Sequence, residues 1–516
     1  MEGKNLYHNI NNYIIYKIYT MSLTSNLAIK EVRDYLKLNN QKSGAPFSGY
    51  LFGNAFTNEE IFIGEGEGKE GKQINETMFW RWASMTKILG MIILCKAFEK
   101  GVIDSLDDPV SKYIPEFSNI NQYISGSERV GNEYDKYGTP KYKMVLTTEA
   151  GLGNKIKIRD LLSYTSGLGY TFWGIGATRD LMNLFQGAPK CQNYIAYIQY
   201  LESLSEGSKV DVFTGYYNKN KISFSEVIRN RTKYPLLFYP GTDNIYGIDL
   251  DVLGGVISNA LKLKGYNITS AEFCQKEIFD PLEMKNSWLG CGSQNPPINA
   301  KEQLLDAFFV RNNNIDGQGG QNVEFGKLYR CNNPLVLDDG FSIQELGQPL
   351  KEHSIGDNLA GGYAESMIGP IKDYSKLLKL VINGGAVNKC VKCCKTKIQI
   401  LKPQTIEYIF GSKIKSTQGI FSFGMGTLNL LNDNETWAGG FTNITNNNGL
   451  ILPFAVGANF HRWGSYYGQT YYFDTKTGNY LIGGTQVSAA SWALPGSTAQ
   501  FQPDIAKIWQ ILTTSN

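Results

Sequence analysis

The sequence predicts an α/β (α+β) fold: one antiparallel sheet flanked by helices and built from both chain ends, with an inserted helical domain. Strand-like runs lie near the start of the chain, at residues 49–56 and 61–64, and again from about residue 420 onward. Helical patterns and long Gly/Asn-rich connections fill the middle. We therefore expect three parts: an N-terminal tail (residues 1–24), a sheet domain (residues 25–112 and 355–516) and an inserted, mainly helical domain (residues 113–354).

The N-terminal elements follow from the spacing of apolar residues. Leu27, Val32 and Leu36 recur near helical spacing and predict the first helix. The runs at 49–56 and 61–64 are separated by four polar residues, a pattern typical of a β-hairpin.

A central helix is predicted at residues 84–100. This stretch is apolar on nearly all faces, which indicates burial, and it stops at Gly101, which suits a left-handed C-terminal cap. Residues 158–164 and 252–263 predict further helices. The C-terminal part predicts strands at 421–431, 450–460, 468–474 and 480–486, followed by a helix with an apolar stripe of Ile505, Ile508, Trp509 and Leu512.

Composition excludes several classes of protein. With 516 residues, 42% of them hydrophobic, the chain can bury at least one large core. The 50 Lys and Arg residues nearly balance the 47 Asp and Glu residues, and no basic run would follow a phosphate backbone, so we expect no nucleic-acid partner. The longest apolar stretch ends at Lys96, far short of the roughly 18 to 20 residues of a membrane span. Without a clear signal peptide, a cytoplasmic location is favoured, and the oligomeric state is left open.

Histidine is scarce, and this restricts the chemistry. The chain has three histidines, His8, His353 and His461, and neither an H-E-x-x-H pattern nor a G-x-S-x-G nucleophile elbow. We therefore expect no catalytic metal and no cofactor, and if the protein performs acyl chemistry, its base is not histidine.

Ser84 and Lys87 offer an alternative base and nucleophile. On a helix, a spacing of three residues places both side chains on one face, within hydrogen-bonding reach. Ser84 lies in the predicted first turn, where the helix dipole favours negative charge. Burial lowers the pKa of a lysine, and the neutral amine could then accept the serine proton. The S-x-x-K pattern also occurs at Ser412–Lys415, in a polar stretch, and a serine at a helix start is often only an N-cap.

The surroundings of Ser84 resemble the serine β-lactamase and penicillin-binding protein superfamily, especially class C β-lactamases and family VIII carboxylesterases. The residues that carry the resemblance are F-W-R-W-A-S-M-T-K at 79–87, G-V-I-D-S-L-D-D-P-V at 101–110 and I-R-D-L-L-S-Y-T-S-G-L at 158–168. With the segments below, it covers about residues 25 to 510, with insertions. The resemblance implies a β-lactamase/transpeptidase-like fold, with Ser84 as the nucleophile.

Tyr246 matches the second catalytic motif of this superfamily. In the lactamase and peptidase branches an Asn follows this tyrosine by two residues, whereas Ile248 stands here, and the D-V-L-G at 251–254 is closer to the esterase branch. A phenol beside a lysine ammonium has a lowered pKa and can take the serine proton and later give it to the leaving group. Tyr246 could otherwise be one of many packed core tyrosines.

The third motif has two candidates. Lys476-Thr477-Gly478 reproduces the K-T-G of lactamases, but it lies between two predicted strands, where Asp, Lys, Thr and Gly favour a hairpin turn away from any cleft. Trp463-Gly464-Ser465 resembles the W-G-G of the esterase branch and is our choice for substrate binding. That resemblance implies an oxyanion hole formed by the N–H groups of Ser84 and Tyr466.

Two further features have ordinary explanations. Cys390, Cys393 and Cys394 form a cluster, but a single C-x-x-C lacks the second ligand pair of a structural zinc site, so a surface insertion explains it as well. The other five cysteines lie singly, which argues against a disulfide framework. His461 could line the cleft, although a histidine at a strand end is more often structural.

Together these patterns predict a serine hydrolase that forms an acyl-enzyme on Ser84 with Lys87 and Tyr246 as activating groups. Small carboxylic esters are the expected substrates, with weak β-lactamase activity compatible. A β-lactamase or D-Ala-D-Ala-type peptidase is one alternative. A catalytically silent scaffold or binding protein is another, although retention of all three residues argues against it.

Overall fold

The computed structural model describes residues 25–135, 138–169, 189–205, 231–243, 247–289, 297, 299–310, 328–330, 363, 366–388, 397–410, 414–415, 435–438, 441–444, 460–465, 467–487 and 505–514. The expected N-terminal tail, the predicted strand at 421–431 and nearly all of the one at 450–460 lie outside these residues. The predicted domain boundaries stay a prediction.

Eighteen strands occur in the described part of the chain. In chain order they are β1 (Phe47–Asn54), β2 (Glu60–Lys69), β3 (Lys72–Gln73), β4 (Phe79–Arg81), β5 (Gln122–Tyr134), β6 (Pro140–Thr148), β7 (Trp288–Leu289), β8 (Phe308–Val310), β9 (Leu328–Arg330), β10 (Met367–Pro370), β11 (Ala386–Asn388), β12 (Lys397–Gln399), β13 (Ile414–Lys415), β14 (Glu435–Ala438), β15 (Phe441–Ile444), β16 (Phe460–Gly464), β17 (Gln469–Asp474) and β18 (Asn479–Gly484).

Helices connect and cover these strands. The α-helices of the described residues are α1 (Asn26–Ser43), α2 (Lys87–Glu99), α3 (Ile158–Ser163), α4 (Pro189–Ser205), α5 (Asp249–Leu263), α6 (Ser270–Cys274), α7 (Ala300–Gln303), α8 (Ile371–Ile382), α9 (Pro403–Phe410) and α10 (Ile505–Thr514). Short 3-10 helices occupy Ala83–Thr86, Val110–Lys112, Pro115–Asn119 and Leu152–Lys155, and a π-helical turn occupies Gln275–Phe279.

One antiparallel sheet joins the two ends of the chain, as the sequence predicts. Its described strands follow the order β13-β14-β15-β16-β17-β18-β1-β2-β3, so that the N-terminal β1 pairs directly with β18. Leu51 pairs with Ile482 and Gly53 with Tyr480. Because consecutive side chains of a strand point to opposite faces, this sheet needs an apolar layer on each side.

The terminal helices cover one face of the sheet. Val32 and Leu36 of α1 pack with Ile508 and Trp509 of α10 against Tyr50 and other sheet residues. Leu27, however, is 78% exposed, and Ala28, four residues before Val32, takes the buried position. α1 begins at an N-cap, Ser25, whose hydroxyl accepts a hydrogen bond from the N–H of Ala28, and it ends at Gly44 with a φ of 75°.

The buried helix α2 lies on the other side of the sheet. It belongs to the larger apolar cluster, the main core, which includes Leu51, Phe473 and Ile482 of the sheet. Ten of its residues, from Lys87 to Ala97, are buried. The helix stops before Gly101, whose φ is 67°, as the sequence predicts. α8 packs beside it against β1, β17 and β18. None of the described helices is long and apolar enough to cross a membrane.

A long hairpin of β5 and β6 projects from the middle of the chain. The sequence analysis does not predict it, because most residues of both strands are exposed and only the short K-Y-K-M stretch at 141–144 alternates polar and apolar residues. Gln199 of α4 binds its edge: the amide oxygen accepts a hydrogen bond from Tyr142 N–H at 2.9 Å, and the amide nitrogen donates to the Pro140 carbonyl at 3.1 Å. Helix α4 thus supplies the packing that the hairpin lacks.

Candidate active site

Ser84 and Lys87 lie at the point where β4 passes into α2. Ser84 belongs to the 3-10 turn Ala83–Thr86 and is half-buried, whereas Lys87, the first residue of α2, is 0% exposed. The Nζ atom of Lys87 donates to Oγ of Ser84 at 3.4 Å. The structure therefore brings the two predicted residues into a long hydrogen bond.

Strand β10 and helix α8 hold this turn in place. The N–H of Trp82 donates to the Met367 carbonyl, and the N–H of Met367 donates to the Thr86 hydroxyl, both at 3.0 Å. The Tyr374 hydroxyl donates to the Met85 carbonyl at 2.8 Å. Two backbone groups near Ser84, the Trp82 N–H and the Met85 carbonyl, and the side chain of Thr86 are thus held by partners distant in sequence.

Ala83 has an unusual backbone conformation directly before Ser84. Its φ is 39°, in a region that a residue with a side chain rarely adopts. Such conformations cost roughly 1 to 3 kcal/mol and persist where the surrounding contacts determine them. The hydrogen bonds of the turn meet that condition, and the strained residue fixes the direction in which the chain presents Ser84.

The sheet contacts the segment around Ser84 through β16 and through residues at the neighbouring ends of β17 and β18. Strand β16 lies beside the Ala83–Thr86 turn. The side-chain amides of Gln469 and Gln486 donate to the Arg81 carbonyl at 3.1 and 3.2 Å, and the N–H of Arg81 donates back to the Gln486 amide oxygen. The Gly464–Gln469 end of the sheet therefore lies next to the segment that carries Ser84.

The predicted substrate-binding segment occupies that same end. Trp463 is 2% exposed with its ring in the main core, and its carbonyl accepts a hydrogen bond from the Thr470 hydroxyl. The N–H of Ser465 donates to the Gln469 carbonyl, and its hydroxyl accepts from the N–H of Tyr467. Tyr466, the predicted oxyanion-hole donor, lies outside the described residues. Because the Trp463 ring is enclosed, this segment can contribute to a cleft mainly through its backbone.

The start of α5 packs close to Lys87. Tyr246 itself lies outside the described residues, but the residues after it are placed. A Cβ atom at Gly90, one helical turn after Lys87, would lie 3.2 Å from Cδ1 of Leu250. Ile248, at the position of the lactamase Asn, is buried in the main core. The chain that follows Tyr246 therefore comes to the side of α2 near its beginning.

The K-T-G sequence is at the opposite end of the sheet. Lys476 is exposed in the turn between β17 and β18, where Asp474 accepts hydrogen bonds from the Lys476 N–H and the Thr477 hydroxyl. Gln469, beside the Ser84 segment, and Asp474 are the two ends of β17. Five residue steps of a strand span about 17 Å. The turn therefore lies far from Ser84.

Sequence reasoning missed a buried polar group that contacts the segment after Tyr246. The Ser166 hydroxyl donates to the Asp249 carboxylate, and Arg231 donates to the Leu168 carbonyl through Nε at 2.7 Å. Burial raises the pKa of Asp249 to about 7, against hydrogen bonding from Ser166 and the charge of Arg231. The available signal was an acidic residue between Ile248 and Leu250, three residues before the predicted helix at 252–263.

The remaining predicted features do not enlarge the site. His461 stacks on Phe473 with 4.6 Å between ring centroids. Cys390, Cys393 and Cys394 lie outside the described residues. Within the described ranges, no group of three or more His, Cys, Asp or Glu side chains is placed to hold a metal ion.

Known proteins show similarity to this arrangement. Residues 57–303 match the Beta-lactamase family model. The chain is 26% identical over 280 residues to the ML-236A carboxylate methylbutanoyltransferase mlcH of Penicillium citrinum, which covers 51% of this chain and 53% of that protein. It is 25% identical over 197 residues to Esterase EstB of Burkholderia gladioli, covering 38% and 36% of the two chains. The chain thus spans about half or less of the length of these curated relatives.

The fold also matches a solved structure over nearly its whole length. EstCE1, described as a hydrolase with promiscuous acyltransferase activity, superposes with a TM-score of 0.56 and 16% sequence identity, covering 93% of this chain and 98% of that one. At this identity the likeness establishes the fold alone. The chain therefore has the β-lactamase/transpeptidase-like fold, and its residues 57–303 are similar to the Beta-lactamase family.

Proposed function

We propose that the protein is a serine hydrolase that forms an acyl-enzyme on Ser84 and hydrolyses small carboxylic esters. The observation that carries this proposal is the contact between Lys87 Nζ and Ser84 Oγ at 3.4 Å. The nucleophile is half-buried, and the lysine beside it is enclosed at the start of a buried helix. This is the arrangement of an activated serine with an adjacent proton acceptor.

In the proposed reaction, the Ser84 oxygen attacks the ester carbonyl carbon while its proton passes to the pair formed by Lys87 and Tyr246. The tetrahedral intermediate collapses when the bond to the leaving alkoxide breaks, and that oxygen receives the proton. A water molecule then attacks the acyl carbonyl and loses a proton to the same pair. The bond between the acyl carbon and Ser84 Oγ breaks, the proton passes from the pair to Ser84 Oγ, and the carboxylic acid is released. These steps need neither a metal nor a cofactor.

Tyr246 is assigned by its position in the sequence and by its neighbours. Gly247, Ile248 and Leu250 follow it, and Leu250 packs against α2 one turn beyond Lys87. The residue pair Ser84 and Lys87 lies at the beginning of that helix. A tyrosine four residues before Leu250 is therefore in a favourable part of the chain to share a proton with Lys87.

Esters are favoured over β-lactams and peptides because of Ile248. In the lactamase and peptidase branches an Asn at this position orients an amide, and the buried Ile248 side chain offers no hydrogen bond. The resemblance of Trp463-Gly464-Ser465 to the esterase motif points the same way. Weak β-lactamase activity remains compatible with the shared acylation step.

Transfer of the acyl group to an alcohol is a second candidate. The name of the Penicillium relative describes a methylbutanoyl transfer, and EstCE1 is described as a hydrolase with acyltransferase activity. Hydrolysis and transfer share the acyl-enzyme and differ only in whether water or an alcohol attacks it. The choice between them therefore depends on the acceptor and leaves the roles of Ser84 and Lys87 unchanged.

The test is intact-mass analysis after exposure to a fluorophosphonate probe, followed by turnover of p-nitrophenyl esters and a chromogenic cephalosporin. We expect one probe adduct, located on Ser84 by peptide mapping, and faster turnover of the esters. Faster cephalosporin turnover would replace the esterase by a β-lactamase, and no adduct would favour a silent scaffold. Added alcohols that divert product from the acid to a new ester would identify a transferase.

A further inference from the structure

A buried polar link joins the loop 164–169 to the start of α5. The Ser166 hydroxyl donates to Oδ1 of Asp249 and accepts a hydrogen bond from the N–H of Leu168 at 3.1 Å. Ser166 and Asp249 are both 0% exposed. The link therefore ties a backbone amide of the loop to the first residue of the helix.

An aspartate at position 249 is expected to lower the stability of the folded protein. Its neighbours Ile248 and Leu250 are core residues, and its Oδ2 atom has no hydrogen-bond partner within the described part of the chain. A buried carboxyl group with an unsatisfied oxygen destabilises a fold relative to a small apolar residue. Burial raises the pKa of Asp249 to about 7, with Arg231 opposing and Asp160 adding to the shift. Packing alone does not explain an acid here.

The loop that Asp249 contacts is itself rigidly held. Arg231 donates from Nε to the Leu168 carbonyl at 2.7 Å and from Nη2 to the Gly167 carbonyl at 3.4 Å. Gly247 touches the backbone of Gly169, since a Cβ atom at Gly247 would lie 2.7 Å from the Gly169 Cα. The loop is therefore a firm support for the chain between Gly247 and Asp249.

This support lies next to the proposed acid/base residue. Asp249 is three residues after Tyr246 and one residue before Leu250, which packs against α2 beyond Lys87. Acid/base catalysis depends on the placement of the proton-transfer group, and an error of about 1 Å can reduce a rate a hundredfold. A fixed point three residues from Tyr246 limits such an error.

We propose that Asp249 is a positioning residue that holds, through Ser166, the chain segment carrying Tyr246 in register with Ser84 and Lys87. This inference rests on the proposed function. It assigns a positioning role to two buried residues that are joined by a hydrogen bond, and it predicts that the two act as one unit.

The test compares Asp249→Ala, Ser166→Ala and the double variant on one p-nitrophenyl ester. Each single change should lower kcat about tenfold to a hundredfold with KM within about twofold, because the acid/base group is displaced while the rest of the site remains. The double variant should be no slower than the slower single variant, since both changes break the same link. Asp249→Asn should restore most of kcat, because its amide oxygen still accepts the Ser166 hydrogen bond.

Ser258→Ala is the matched control. Ser258 is also a buried serine, lies on α5 and donates to the Ser270 hydroxyl at 2.8 Å. Losing such a hydrogen bond costs about 1 kcal/mol of stability wherever it lies. We expect both this variant and Ser166→Ala to melt at a lower temperature than the wild type. Only Ser258→Ala should keep its kcat, which separates positioning from general destabilisation.

Two results would overturn the inference while leaving the proposed function standing, provided that the probe labels Ser84 of the wild-type protein. The first is an unchanged kcat in both Asp249→Ala and Ser166→Ala. The second is a loss of kcat in the double variant that equals the combined losses of the two single variants. Equal loss of kcat in Ser258→Ala would overturn it as well. If Asp249→Ala does not fold, the comparison is made with Ser166→Ala, Asp249→Asn and the double variant that combines them. A wild-type protein that the probe does not label would overturn both proposals together.

Discussion

The two ends of strands β16 to β18 carry different motifs and have different surroundings. At one end, Gln469 and Gln486 bind the Arg81 carbonyl, three residues before Ser84. At the other end, Lys476 projects from an exposed turn. The sequences at both ends resemble motifs of the superfamily. The first end lies beside Ser84, which is hydrogen-bonded to Lys87, whereas the second lies in a turn far from it.

The location of a motif in the fold therefore decides whether it can take part in catalysis. K-T-G is rich in turn-forming residues, and Asp474 binds its Lys476 N–H and Thr477 hydroxyl as an ordinary hairpin turn does. The S-x-x-K at Ser84 instead stands between a short strand and a buried helix. We therefore expect changes at the Ser84 end to affect turnover and changes at the Lys476 end to affect, at most, stability.

The largest effect is expected from Ser84→Ala. Removing the hydroxyl removes the atom that bonds to the acyl group, so fluorophosphonate labelling and ester turnover should both disappear while the far-ultraviolet circular dichroism is retained. Ser412→Ala, in the second S-x-x-K sequence, is the control and should label normally. Persistent labelling of Ser84→Ala would show that the nucleophile lies elsewhere.

Tyr246→Phe and Lys476→Ala test the two ends directly. Loss of a general acid/base group costs about a hundredfold to ten-thousandfold in rate, and we expect kcat of Tyr246→Phe to fall in that range. Truncating an exposed turn lysine changes stability by no more than about 0.5 kcal/mol, so Lys476→Ala should keep its kcat. The reverse result would transfer the third motif from Trp463 to Lys476.

The free energy of unfolding of the protein should depend on pH because of Asp249, which lies three residues after Tyr246. Its pKa is about 7 in the folded protein, because burial raises it, and about 3.9 in an unfolded chain. Between these values the folded state holds a proton that the unfolded state has lost. Stability therefore decreases as the pH rises from about 4 to 7, by at most about 1.4 kcal/mol per pH unit.

Asp249→Asn lacks this proton and provides the comparison. Urea unfolding at several pH values should show the variant gaining stability relative to the wild type between about pH 4 and 7, with a constant difference outside that window. Two curves that stay parallel throughout would mean that the pKa of Asp249 is the same in the folded and the unfolded protein.

At the other end, a buried ion pair should affect stability and leave turnover intact. Lys379 of α8 contacts Glu60 at 2.8 Å, and both side chains are largely buried, while the Tyr480 hydroxyl donates to the same carboxylate. Lys379→Met leaves Glu60 charged and without its cation, which costs about 3 kcal/mol. Lys372→Met, which breaks the more exposed pair with Glu76, should cost less than about 1 kcal/mol.

Chemical denaturation measures both costs, and kcat of the folded protein should be that of the wild type in each case. A loss of turnover in Lys379→Met without a loss of stability would show that the two ends of the sheet are functionally connected.

The sequence predicts the helices and strands whose burial produces a clear pattern of apolar residues. α2 is apolar on all faces and ends at Gly101, and the apolar stripe of α10 packs on the sheet, so both helices are found where expected. The join of β1 to β18 follows from strand patterns at both chain ends together with the superfamily resemblance. The contact of Lys87 with Ser84 follows from their spacing of three residues.

Other features depend on tertiary contacts that no local pattern contains. Most residues in the strands of the β5–β6 hairpin are exposed, and Gln199 of α4 accepts a hydrogen bond from a backbone N–H of β6. Asp249 finds Ser166 eighty-three residues earlier in the chain. Ser84 lies in a 3-10 turn before α2 because β10 holds Trp82 and Thr86, and the sequence pattern shows only a continuous helix.

The smallest effect is expected from changing Cys390, Cys393 and Cys394 together to Ser. These residues lie between β11 and β12, which pair with each other next to α8 and lead into Ile400. The Ile400 carbonyl accepts a hydrogen bond from Lys96 at the last turn of α2. Ser84 lies before the first turn of that helix, and 12 residue steps of a helix span about 18 Å.

The flanking strands of the cysteine cluster are therefore anchored at the end of α2 that is remote from Ser84. Ester turnover by the triple variant should match that of the wild type, and the protein as purified should release no zinc to a chelator. Loss of turnover accompanied by zinc release would show that a metal bound at the far end of α2 supports the position of Ser84 through the helix.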